Sequence, residues 1–286
     1  MKQNLLYSND SLFKRVLSLF EKTKIKDFYN QTGHKWYKTS EKLTLLVFKI
    51  LNQKSYRDLE FEINNKNIHF TTIQKFASKM SNFLKNKIKS ISKILFFQLK
   101  RKCVAVDGSG LSKCFASRHY EKRVGYLKSA KLYDKLSILI DIDSLVILNY
   151  KFRIKPKHDI CDVWGLIKNL ECEYFLADKG YNSNKLCKIL FEMGIIPQIP
   201  KKKNQKRGFY LKLANKYFDK NIYSKRSLVE SVFSSLKRKF KEKLMGRTYK
   251  TKSLELSLKI LFYNVNRMPN FFGYFLKFLK RILVFS

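Results

Sequence analysis

Two segments of this chain share one design, a short apolar stretch that runs into an aspartate and then into glycine. Lys102 to Asp107 (KCVAVD) reads as a buried strand ending in an aspartate, followed at once by a turn at Gly108, Ser109 and Gly110. Tyr174 to Asp178 (YFLAD) repeats it, with Lys179, Gly180 and Tyr181 as the turn. Between them, Lys135 to Ile142 and Val146 to Ile154 read as a hairpin across Asp143 and Ser144, and Asp159 to Leu170 reads as a helix. A helix from Asn184 to Met193 and a strand from Ile195 to Ile199, ended by Pro200, follow. The order β, β, β, α, β, α, β, α predicts an α/β domain with a mixed sheet flanked by helices. Ligands of such sheets bind where strands give way to loops. Asp107 and Asp178 are therefore candidates for one site, although each alone is an ordinary loop aspartate.

The last helix of that series supplies a third carboxylate. At about 100° per residue, Arg226, Lys237, Glu230 and Tyr223 fall at roughly 0°, 20°, 40° and 60° around its axis. Leu228, Val229, Val232, Phe233, Leu236 and Phe240 occupy a separate arc that suits a core. A glutamate with an arginine one turn before it and a lysine two turns after it suits a site for a divalent cation and phosphates. The competing reading is a solvated face carrying an Arg226–Glu230 pair, worth a few tenths of a kcal/mol.

Together these residues resemble the DDE transposases of bacterial and archaeal insertion sequences, whose catalytic core has an RNase H-like fold. The family pattern of Tyr, two residues, Arg, three residues, Glu, six residues, Lys is met by Tyr223, Arg226, Glu230 and Lys237. Its first aspartate commonly sits in a motif like VAVDGSG and its second in one like LADKGY, as at Asp107 and Asp178. Ser117, His119, Tyr120, Arg123, Lys135, His158 and Asp159 also look like landmarks of one branch of these proteins.

The resemblance implies that Asp107, Asp178 and Glu230 are catalytic and hold two Mg²⁺ ions, with Mn²⁺ able to substitute. It also implies that Tyr223, Arg226 and Lys237 position the end of a mobile element. The activity implied is nicking of element ends and their joining to target DNA by phosphoryl transfer, by a homodimer on double-stranded DNA that carries terminal inverted repeats. His119 and His158 are poor alternatives as ligands, because His is not favoured by Mg²⁺. Two rivals remain at this level, a nuclease of the same fold that cuts without joining and a non-catalytic DNA-binding protein derived from a transposase.

Sixty Lys and Arg against 22 Asp and Glu give a net charge of +38 spread along the chain. That field favours polyanions, with nucleic acid the expected partner, although a ribosomal or anionic-membrane surface would suit it too. The five cysteines, Cys103, Cys114, Cys161, Cys172 and Cys187, form no CxxC pair, which argues for reduced thiols and against a zinc site. The opening MKQNLLYSND lacks the apolar stretch of a signal peptide, and Phe271 to Phe285 is interrupted by Lys277, Lys280 and Arg281. A cytoplasmic, nucleoid-associated protein with no membrane span is expected.

Residues 1–98 read as a small all-α domain, and 99–286 as the catalytic domain with C-terminal helices. Leu43 to Leu51 is a compact apolar helix, and Ser55 with Asp58 resembles a capping box. Thr71 with Gln74 predicts another helix start, opening a helix through about Phe83 with Gln74, Lys75, Ser78 and Lys79 on it. A helix-turn-helix-like DNA reader using Gln74, Lys75 and Lys79 is the expectation, against a bundle that only braces the catalytic domain. Asp178 and Glu230 are too close in sequence to enclose a large insertion domain. The basic run Lys201, Lys202, Lys203, Lys206 and Arg207 lies between them as a loop suited to phosphates.

Overall fold

The computed structural model describes residues 12–20, 25–28, 37–62, 68–96, 101–112, 133–202 and 207–267. Ser117, His119, Tyr120, Arg123, Cys114, Lys203, Lys206 and the 271–285 segment lie outside the described residues. The chain divides into two compact units, one formed by the residues up to Gln98 together with those from Leu244 on, the other by Leu99–Lys243. The C-terminal helix, grouped with the catalytic domain on sequence, thus falls in the structure with the N-terminal helices.

In the helical unit, α1 covers residues 12–20 and is followed by α2 (Thr39–Leu51), α3 (Tyr56–Glu62), α4 (Phe70–Lys79) and α5 (Ser81–Phe96). The C-terminal helix of this unit, Tyr249–Arg267, packs against α2, α4 and α5 and is buried on all sides from Ser253 to Val265, as expected of a helix at the centre of a bundle. Its one acid, Glu255, is buried but fully partnered: it accepts hydrogen bonds from the backbone N–H of Met245 (2.9 Å) and Gly246 (2.9 Å) and pairs with Lys259 at 2.8 Å.

The capping box at α3 forms as expected, Ser55 N–H reaching Asp58 Oδ2 (3.0 Å) and Asp58 N–H reaching Ser55 Oγ (3.1 Å). The expected start at Thr71 does not form. His69 is the N-cap of α4, accepting from Thr71 N–H, and the helix stops at Lys79 because Met80 leaves helical geometry before α5 begins.

The second unit contains a five-stranded sheet in the order β3-β2-β1-β4-β5. Strands β1 (Cys103–Ser112), β2 (Tyr133–Asp141) and β3 (Ile147–Arg153) form an antiparallel meander, while β4 (Tyr174–Ala177) and β5 (Ile196–Gln198) add to β1 in parallel. Helix α6 (Ile160–Leu166) connects β3 to β4, and α7 (Asn184–Glu192) connects β4 to β5. Val104, Val106, Leu139, Val163, Leu166, Phe175, Tyr181, Leu186 and Leu190 make the shared core of sheet and helices. This is the α/β RNase H-like architecture expected, a mixed sheet flanked by helices and preceded by an all-helical region.

Two local expectations are corrected. β1 does not end at Asp107, and Gly108 to Gly110 is not a turn: these residues continue the strand against Ser137, Leu136 and Lys135. What ends at Val106 is the pairing with β4, whose last partner is Ala177. Nor is the segment from Tyr223 to Phe240 a single helix. Tyr223 lies in α9 (Lys220–Ser224), Arg226 in a 3₁₀ turn (Lys225–Ser227), and Glu230 and Lys237 in α10 (Leu228–Phe240); α8 (Phe209–Lys216) precedes them.

Candidate active site

The site begins where the parallel pairing of β1 and β4 runs out. Val106 and Ala177 are register partners, so the next residues, Asp107 still within β1 and Asp178 just past the end of β4, occupy adjacent positions. Both carboxylates are held by their own backbones. Asp107 Oδ1 accepts from Gly108 N–H at 2.7 Å, and Asp178 Oδ1 accepts from Lys179 N–H at 2.7 Å, capping the 3₁₀ turn Lys179–Tyr181. Local bonds of this kind fix where an acid points before any ligand arrives.

Glu230 joins through Arg226. The guanidinium donates from Nη1 to Asp107 Oδ2 (3.1 Å) and from Nη2 to Glu230 Oε1 (3.1 Å), so one side chain ties the strand acid to the helix acid. The 3₁₀ turn Lys225–Ser227 leads straight into α10 with helical dihedrals on either side, so Arg226 and Glu230 keep an i,i+4 relation. Helix α10 itself packs through Val229, Val232, Phe233, Leu236 and Phe240 and contacts β1, which sets the height of Glu230 above the sheet.

Electrostatics mark Asp107 out. Burial pushes its carboxyl above the ordinary aspartate range, and the neighbouring Asp159 and Asp178 push the same way, against the Gly108 N–H and Arg226. Arg226 is held above its ordinary value although burial opposes its charge, because Tyr223, Asp107, Glu230 and Asp178 surround it with negative potential. A half-buried acid whose carboxyl is raised by burial and by neighbouring acids is a common sign of a functional site.

A second cluster lies beneath the first and was only half visible in the sequence. Lys135, on β2, is 5% exposed and pairs with Asp159 Oδ1 (2.7 Å) and Asp162 Oδ2 (3.1 Å) while donating to Lys157 O (2.6 Å). Asp162 is 1% exposed and also accepts from Ser137 Oγ (2.9 Å) and Arg153 Nε. Gly108 connects this cluster to the site: a Cβ there would come within 2.8 Å of Asp159 Oδ1 and 3.2 Å of Lys135 Cε. Asp162 and Arg153 were not singled out in the sequence. The available signal was a charged residue at an inward position of α6, beside Val163 and Leu166, which requires a buried partner.

The remaining candidates are spread out. Lys237 pairs with Glu242 (Nζ to Oε1, 3.4 Å) towards the end of α10, rather than with an acid of the cluster. Tyr223 packs its ring against Phe218 at 5.4 Å. Gln74, Lys75, Ser78 and Lys79 line the exposed face of α4 in the helical unit, opposite the buried Ile73, Phe76 and Ala77. His158 is exposed.

The donor set suits a hard divalent cation, since all three groups are carboxylates. The hydroxyl of Tyr181, in a residue 1% exposed, has no hydrogen-bond partner among the described residues, and the phenol lies in the field of Asp159, Asp107, Asp162 and Asp178. A buried donor of this kind fits a site completed by a bound group. Among the described residues no three acidic, His or Cys side chains converge closely enough to enclose an ion, and Arg226 occupies the position between Asp107 and Glu230.

Among the described residues no helix is long and apolar enough to cross a membrane. Cys103, Cys161, Cys172 and Cys187 are free thiols. None of the curated proteins compared with the chain matches it. The family model for the transposase DDE domain matches residues 98–265, more than half of the chain and the whole of the segment that carries Asp107, Asp178, Arg226 and Glu230. With that match set beside the sheet order and the acids at its parallel edge, the chain belongs to the transposase DDE domain family.

Proposed function

We propose that this transposase nicks the ends of a mobile element and joins them to target DNA by metal-dependent phosphoryl transfer, with Asp107, Asp178 and Glu230 as the catalytic carboxylates. The observation that carries the reading is the meeting of three separate chain segments at one place. Asp107 and Asp178 follow the last paired residues of the parallel strands β1 and β4, and Arg226 bonds both Asp107 and Glu230. Divalent cations, two Mg²⁺ ions or Mn²⁺ in their place, would be held by these three residues and would activate a water or a DNA 3′-hydroxyl and stabilise the departing oxygen.

The chain's own residues do the rest. Gly108 N–H and Lys179 N–H each hold Oδ1 of their aspartate, and Arg226 holds Oδ2 of Asp107. Arg226 commits two donors to Asp107 and Glu230, and a guanidinium that leaves them can bind a phosphodiester in a bidentate manner. Lys237, its side chain 28% exposed, supplies a point charge for a backbone phosphate further along α10. The exposed face of α4, with Gln74, Lys75 and Lys79, serves as a reader of the element end, and two copies of the chain bring two ends together.

The test uses purified full-length protein and duplexes that carry the sequences flanking its own gene. With Mg²⁺ we expect nicks at the element ends and strand-transfer products, all lost in EDTA and in Asp107→Asn or Asp178→Asn, with duplex binding within about threefold of wild type in both. Wild-type nicking by either variant would remove these aspartates from the chemistry. Nicks without joined products would leave a nuclease, and binding without nicks a DNA-binding protein.

A further inference from the structure

On the surface of the second unit, Phe209 is 71% exposed and Tyr217 is 50% exposed, at the two ends of α8. Single exposed apolar residues are common, but these are joined into a patch. Phe209 meets Tyr210 edge-on at 5.2 Å, Tyr210 lies 6.4 Å from Phe191, and Phe191 lies 6.5 Å from Tyr217. The next residue, Phe218, packs on Tyr223 at 5.4 Å, and Tyr223 is within the electrostatic field of Arg226. One group of touching rings runs from Phe209 to Tyr217, and a second pair, Phe218 with Tyr223, follows it in the chain towards Arg226.

The helix presents cations on the same arc. At about 100° per residue, Lys212 and Lys216 lie roughly 60° and 20° to one side of Phe209, and Tyr217 roughly 80° to the other. Leu211 and Ala214 point the opposite way, into a small core with Cys187. Lys212 and Lys216 are exposed, and so are Arg207 before the helix and Lys220 after it. The loop that follows α8 is held firmly. Gln198, fully buried at the end of β5, donates from Nε2 to Tyr217 O (2.9 Å) and accepts at Oε1 from Asp219 N–H (2.8 Å). The backbone of Tyr217 is thus held by a buried amide while its ring stays half exposed beside Phe191.

Apolar rings interleaved with lysines, without an apolar partner surface, suit one class of occupant. Unpaired bases offer flat π-faces for the rings, and their phosphates offer anions for the lysines, whereas a duplex keeps its faces stacked inside. We propose that the Phe209–Tyr217 face of α8 is a stacking platform for single-stranded DNA, receiving the unpaired nucleotides next to the strand held at the acidic site. This inference rests on the reading of the chain as a DNA-processing transposase.

The test measures fluorescence anisotropy of labelled oligothymidylate and of a random duplex with the full chain. In the double variant Phe209→Leu, Tyr217→Leu, which keeps apolar bulk and removes the rings, single-strand affinity falls by about 5- to 150-fold for each stacked base lost. Duplex affinity stays within about twofold. Phe209→Trp keeps single-strand affinity, and the indole it introduces is quenched by the oligonucleotide. Wild-type single-strand affinity in the double variant overturns the platform, as does an equal loss on both DNAs or a melting temperature that falls in step with affinity. A change in sedimentation of the double variant without a change in single-strand affinity overturns it in favour of a contact between two copies. A wild-type chain that binds neither DNA overturns the reading of the whole protein, which separates that failure from failure of the platform alone.

Discussion

Lys135 is shared by two aspartates in very different surroundings, and their removal should cost very different amounts. Asp162 is 1% exposed and receives Lys135, Ser137 and Arg153; the Asp159 side chain is 45% exposed and receives Lys135. Asp162→Asn keeps the volume but removes the charge facing two cations. Lys135 retains Asp159 and Lys157 O, while Arg153 is left with Cys161 O at 3.4 Å. Breaking a buried pair from one side costs about 3–5 kcal/mol; the partners that remain to Lys135 place this case near the lower end, at about 3 kcal/mol. Asp159→Ala breaks a half-exposed pair and should cost under about 1 kcal/mol. In urea, with a slope of about 1–3 kcal/mol per M, the first variant lowers the midpoint by about 1–3 M and the second by a few tenths. Amide exchange of β2, followed by mass spectrometry, assigns the loss to this sheet. Equal midpoints for the two variants would refute the claim that burial, and not ion pairing as such, makes this cluster structural.

Other outcomes follow from the same geometry. Because burial raises the folded-state pKa of Asp107 above its unfolded value, the folded chain binds the proton more tightly there, and ionisation of Asp107 lowers stability as pH rises through that window. Asp107→Asn should therefore melt higher than wild type at neutral pH, with the gap closing towards about pH 4; a gap independent of pH in thermal melts would refute it. Lys237→Ala should weaken duplex binding and reduce the log–log salt slope by about one, whereas Glu230→Gln should leave that slope unchanged in the same titration. In the helical unit, a Cβ at Gly246 would lie 2.6 Å from Lys252 N and 2.8 Å from Thr251 C, both backbone atoms. Gly246→Ala should destabilise that unit by about 1–3 kcal/mol in urea melts.

Most of the element order was legible because it is written in local periodicity. The hairpin of β2 and β3, the β4 strand and α7 all appear within a residue or two of where apolar runs and turn residues place them. The errors have local causes as well. Gly108 and Gly110 read as a turn because glycine usually breaks a strand, yet Gly108 is in β1 where Asp159 and Lys135 approach too closely for a side chain. Thr71 with Gln74 matched a capping box, but His69 caps the helix.

The amino-acid order alone determines which acids can be offered to a site, since an apolar strand that runs into an aspartate, and a helix with one polar edge, are patterns a few residues long. Only the folded chain decides who meets whom. Parallel pairing of β1 with β4 puts Asp107 beside Asp178 across a long stretch of intervening sequence, packing of α10 on β1 brings Arg226 onto Asp107, and the placing of β2 in the sheet brings Lys135 against Asp159 and Asp162. Those contacts depend on register and on the direction in which an element enters the core, and neither quantity is carried by any short stretch of sequence.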